Sequence, residues 1–139
     1  FRAAALVFRA LFPSLFPSRS RIRKLLRWFS ATETAFEGPV DERRIDYLVV
    51  AFKNHRSAKP MRLPVFSDEE LRSIRTPTLV LIGEREVLYP DAAAAAESAR
   101  SLIPGVTVER IPNAGHALFY DRPELVNRRI VEFLSRRAV

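Results

Sequence analysis

The chain has 139 residues, 47% of them apolar, enough for one domain with a sizeable core. It contains no cysteine, which excludes disulfides and thiolate chemistry, and its two histidines lie far apart, a poor basis for a metal site. The net charge of +7 is unevenly placed: residues 1–60 carry 12 Lys and Arg against 5 Asp and Glu, while residues 61–139 carry 11 of each.

In chain order, residues 1–12 have helical patterning, with Arg2 and Arg9 on one polar stripe, and Pro13 stops the helix. A Ser/Pro connector over 14–20 leads to a basic amphipathic helix over 21–30, whose apolar face is Ile22, Leu25, Leu26 and Phe29, with Trp28 beside it. Gly38-Pro39 is a turn, and Asp41 is placed to cap a helix over 42–54 that buries Ile45, Leu48, Val49 and Phe52. The cluster Arg19, Arg21, Arg23, Lys24 and Arg27 could meet phosphate or an anionic surface, but no nucleic-acid motif accompanies it. A solvated helix face is the preferred reading.

Residues 56–66 are irregular and punctuated by Pro60 and Pro64. Ser67 and Glu70 form a capping box for a short helix to residue 74. The unalternating run over 77–83 reads as a strand buried on both faces, ending in the polar turn Gly83-Glu84-Arg85-Glu86. Pro90 and Asp91 open an alanine-rich helix to residue 102, its small face suited to packing on a sheet, and Pro104-Gly105 closes it. A second strand over 106–111 ends in Pro112-Asn113-Ala114-Gly115-His116. Beyond a loop to Arg122, Pro123 opens a last helix to residue 136 that buries Leu125, Val126, Ile130, Phe133 and Leu134.

Two parallel strands joined by a helical crossover deliver their carboxyl ends to one edge of the sheet. A carboxylate and a histidine therefore arrive together. His116 follows a strand and a glycine, in a loop free to aim its ring, as a general base requires. Glu84 and Glu86 both qualify as its acid partner, with Glu86 preferred; Asp91 competes, but Pro90 beside it points to a helix cap. His55 reads as surface.

The stretch Pro77-Thr78-Leu79-Val80-Leu81-Ile82-Gly83-Glu84-Arg85-Glu86, then Leu102-Ile103-Pro104, Ile111-Pro112-Asn113-Ala114-Gly115-His116, Arg122-Pro123-Glu124 and Ile130-Val131-Glu132-Phe133-Leu134 resembles the C-terminal half of the α/β-hydrolase family. Residues 1–66 are similar to its variable helical cap. The resemblance implies an α/β fold, with residues 67–139 as the last parallel strands and flanking helices of the core and 1–66 as a lid. It also implies that the position three after Gly83, here Glu86 where the family usually has Asp, is the triad acid, with His116 the general base.

The family's nucleophile lies in an earlier G-x-S-x-G elbow, and none of Gly38, Gly83, Gly105 or Gly115 flanks a serine in that pattern. The chain, which opens on Phe1 rather than Met, therefore reads as the cap plus C-terminal part of a longer hydrolase, inactive by itself. The implied activity is a carboxylesterase with a Ser-His-Glu triad, its serine in an N-terminal half of the same protein; a non-catalytic binding or receptor protein on the same fold is the alternative. Phe12, Trp28 and Phe29, with Leu118 and Phe119 beside the histidine, point to a pocket for an apolar ester. Neither metal nor organic cofactor is implied, nor any nucleic-acid partner. A homo-oligomer stays open. No apolar run approaches the roughly 20 residues of a membrane span, so a soluble, cytoplasmic protein is expected.

Overall fold

The computed structural model describes residues 15–32, 36–54, 65–89 and 91–136. The expected helix over 1–12, with Phe12, lies outside them, as do His55 and residues 56–64.

Two five-residue strands set the frame. β1 (Leu79–Gly83) and β2 (Thr107–Ile111) pair in parallel, Leu79 opposite Thr107 and Gly83 opposite Ile111. Equal lengths in register bring both carboxyl ends level at one edge. Burial along β1 increases toward Gly83, so the strand sinks into the molecule where it hands the chain to the following turn.

The helices follow from their caps. Ser18 accepts from the Arg21 N–H and opens α1 (Arg19–Phe29) two residues earlier than expected, with Ile22 fully buried. In α2 (Pro39–Asn54) proline itself takes the first position, where its missing N–H costs nothing. Asp41 is therefore not the cap but a first-turn residue, bonded to the Gly38 N–H at 3.3 Å. Ile45 is fully buried; Leu48, Val49 and Phe52 are half-buried.

The basic cluster of α1 faces acids. Arg19 pairs with Glu42 at 2.6 Å and Asp46 at 2.8 Å, Arg23 with Glu42, and Arg27 with Glu37. Glu42 sits below the ordinary carboxylate range, chiefly through its bond from Arg19 and then Arg23. These arginines hold α1 to the segment around α2, which uses much of the charge that a phosphate ligand would need.

The expected capping box is present: Ser67 and Glu70 satisfy each other's backbone N–H groups at 3.2 and 2.7 Å and open α3 (Asp68–Arg72). Asp91 caps α4 (Ala92–Leu102), accepting from Ala93 and Ala94, both at 2.9 Å. Ala96 is fully buried where α4 packs on both strands. A short helix, α5 (Leu118–Asp121), occupies what reads as loop in the sequence, and α6 (Pro123–Ser135) follows with proline in its first turn.

The core cluster of Ile111, Ala114 and Val126, with Leu81, Leu118 and Leu125 packed on it, lies directly beneath the turn that carries His116. One expectation is corrected here. Ile130 and Leu134 of α6 are 40% and 61% exposed, because the sheet among the described residues is too narrow to cover more than the Val126 side of that helix.

Candidate functional site

At the end of β1 the backbone makes a tight polar turn tied to the histidine loop. Glu84 N–H donates to the Ile111 carbonyl at 3.0 Å, and Arg85 N–H to the Ala114 carbonyl at 2.9 Å. Gly83 allows this approach: a Cβ there would stand 2.5 Å from the Ala114 oxygen and closer still to that of Gly115. The strand end and the turn after β2 thus lie in van der Waals contact.

This contact carries Glu86 under the imidazole. Its Oε1 accepts the Val87 and Leu88 N–H groups at 2.7 and 2.8 Å, and its Oε2 lies 2.9 Å from His116 Nδ1. The Glu86 side chain is 4% exposed and that of His116 41%. A carboxylate only accepts, so the pattern assigns the hydrogen to Nδ1 and leaves Nε2 as the basic nitrogen of the neutral ring. The carboxylate is anchored and hidden while the imidazole remains accessible. Glu84 is exposed and Asp91 is occupied as a cap, so of the three candidate acids the geometry brings only Glu86 to the ring.

The histidine turn has a second support. Asn113 takes the left-handed conformation (φ 53°), which asparagine tolerates. Gly115 N–H donates to Asp121 Oδ2 at 2.7 Å, and the same carboxylate accepts from Ala31 N–H at 2.9 Å and from the Ser30 hydroxyl. Burial pushes the Asp121 carboxyl upward, but the bonds from Ser30, Ala31 and Gly115, with Thr32 adding a smaller one, outweigh it and hold the group below the ordinary aspartate value. Ala117 N–H donates to the Phe29 carbonyl at 2.8 Å. The end of α1 is therefore seated on the turn that carries His116.

The expected pocket residues divide. Phe29 lies against the imidazole, ring centroids 5.1 Å apart and tilted 47°. Trp28 stacks on Phe29 at 5.1 Å, one ring removed from the histidine. Leu118 packs on the core and, with Glu86, His116, Leu71 and Tyr89, lines a cavity of 460 Å³. Phe119 is 57% exposed and meets Tyr120. Asp121 escapes the sequence reading because one acid before Arg-Pro is indistinguishable from a solvated turn; its position five residues after His116 is the only signal.

Among the described residues no cluster of three or more His, Asp or Glu could hold a metal, and no helix is long and apolar enough to cross a membrane.

The chain is similar to known proteins over most of its length. The model of the alpha/beta hydrolase family matches residues 1–129. The carboxylesterase YbfK of Bacillus subtilis is 41% identical over 99 residues, covering 69% of this chain and 33% of that protein. An uncharacterized carboxylesterase, nap, of the same organism is 48% identical over 71 residues, covering 51% of this chain and 23% of its own. The crystal structure of the Bacillus subtilis naproxen esterase superposes with a TM-score of 0.78 at 32% identity, over 94% of this chain and 45% of that one. The chain thus spans a quarter to a third of the curated relatives it matches, and under half of the solved one.

Proposed function

Since the chain belongs to the alpha/beta hydrolase family, we propose that it supplies the base and acid of a Ser-His-Glu triad in a carboxylesterase acting on an apolar ester. The observation that carries this reading is the bond between His116 Nδ1 and Glu86 Oε2, made by a carboxylate already held by two backbone N–H groups. In the proposed reaction His116 Nε2 takes the proton of a serine hydroxyl as it attacks the ester carbonyl, and Glu86 stabilises the imidazolium that results. The proton passes to the departing alkoxide. A water activated by the same nitrogen then hydrolyses the acyl-enzyme and frees the serine.

The serine belongs to an upstream half of the fold. β1 pairs with β2 on one edge only among the described residues, and the cavity beside Val80 and Ile82 opens toward Glu86 and His116. A neighbouring strand along the other edge of β1 would bring its loop to the imidazole. Residues 1–66 serve as the cap, with the Phe29 ring set beside the base and Trp28 stacked on it. The two carboxylesterase relatives and the naproxen esterase support an ester substrate.

Labelling with a serine-directed fluorophosphonate tests the division of labour. The protein carrying both halves should label, and this polypeptide alone should not. Labelling of the isolated chain would overturn the assignment of the nucleophile to the upstream half.

A further inference from the structure

We propose that Asp121 is a positioning residue: its single carboxylate clamps the end of α1 to the histidine turn, so that the seat of the cap and the aim of His116 are set together. The inference rests on the reading of His116 as the base, which it deepens. Three close donors from two separate segments meet on this carboxylate, besides the smaller contribution of Thr32. Ser30 Oγ and Ala31 N–H come from the end of α1, and Gly115 N–H from the residue before His116.

The helix itself cannot satisfy these groups. Ser30 is the C-cap of α1, and the Ala31 N–H falls just past the last helical bond. Without the carboxylate, two part-buried amides lose their acceptor, one on each side of the junction. The junction is otherwise tight. Ala117 N–H bonds the Phe29 carbonyl at 2.8 Å, and the Phe29 ring lies on the imidazole. The residue before Asp121 extends the clamp: Tyr120 meets the Phe36 ring at 5.0 Å and the Arg44 guanidinium at 5.1 Å, both from the α2 side. Asp121 does not touch His116; it acts through Gly115 and Phe29.

A turn-stabilising acid would affect melting alone, whereas a clamp sets where the ring points. The test uses the protein carrying both halves, with Asp121→Ala, Asp121→Asn and Ser30→Ala. Two readouts are needed: His116 ring resonances by NMR, assigned by their loss in His116→Gln, and kcat and KM for a short-chain p-nitrophenyl ester. Asp121→Ala should shift or broaden the His116 signals and lower kcat roughly 10- to 100-fold with KM changed less than about 3-fold. Asp121→Asn keeps an oxygen for the two amides and should restore most of both readouts. Moved His116 signals with unchanged kcat would support the clamp and reject His116 as the base. Unmoved signals in a folded Asp121→Ala protein would overturn the clamp whatever the kinetics. Should that variant not fold, Ser30→Ala must show the same displacement in smaller degree, and unmoved signals there would overturn it equally.

Discussion

The Cα of Gly115 faces the carbonyl of Phe29 so closely that a Cβ on it would lie 2.5 Å from that oxygen. Three segments meet at this point: the last turn of α1, the turn after β2 and, through Asp121, the end of α5. The glycine is required by approach rather than by backbone angle. Gly115→Ala should therefore force α1 and the histidine turn apart, with a stability loss of about 1–3 kcal/mol by urea titration. Displacement of Phe29 should accompany it, seen as a changed emission of Trp28, the only tryptophan of this chain. A variant of unchanged stability and emission would show that the contact is slack.

The close approach of Gly83, at the end of β1, to the Ala114 and Gly115 carbonyls makes a similar demand on the other side of the turn, but the Glu86 side chain offers the more direct chemical test. Glu86→Gln preserves an acceptor for the Val87 and Leu88 amides yet can present an amide N–H to Nδ1, which favours the wrong tautomer of His116. In the protein carrying both halves, kcat should fall by about 100- to 10,000-fold, with little change in melting temperature. Activity within a few-fold of wild type would remove Glu86 from the triad.

Much of this arrangement is legible in the sequence, for physical reasons. The unalternating run over 77–83 reads as a buried strand and forms one over Leu79–Gly83, half-buried along Leu79–Leu81 and buried at Ile82 and Gly83, and Gly83 and Gly115 mark its end and the histidine turn. Ser67 with Glu70, and Asp91 before an alanine run, are local caps whose partners lie within three residues, and both form as read. Long-range relations were hidden. Nothing local tells that Asp121 bonds Ser30 and Ala31, or that Arg19 and Arg23 answer Glu42. Ile130 and Leu134 have the period of a buried face, yet burial depends on what lies opposite, and the described sheet stops short of them.

The core beneath the turn offers a stability test independent of any chemistry. Ile111 is 1% exposed and packs with Ala114 and Val126 under His116. Ile111→Ala should cost about 2–5 kcal/mol in urea unfolding. A loss under about 1 kcal/mol would mean that the site collapses around the gap and that the turn has no rigid floor.

Acid should weaken the junction between α1 and the histidine turn in a defined direction. Asp121 titrates below its ordinary value of 3.8 in the folded protein, so folding favours its charged form. Its contribution is fully present above the unfolded value and is lost as pH falls through the folded one. The stability difference between wild type and Asp121→Asn, measured by urea midpoints from about pH 6 downward, should hold steady and then shrink below about pH 4. A difference that stays constant through that range would contradict the charged junction.

The assignment of His116 as base is tested most directly by the turnover of a short-chain p-nitrophenyl ester by His116→Ala, in the protein carrying both halves, with folding verified by its melting curve. A loss of at least about 1,000-fold in kcat at near-wild-type stability is expected. Turnover retained within about 10-fold would contradict the role of His116, and with it the role of Glu86.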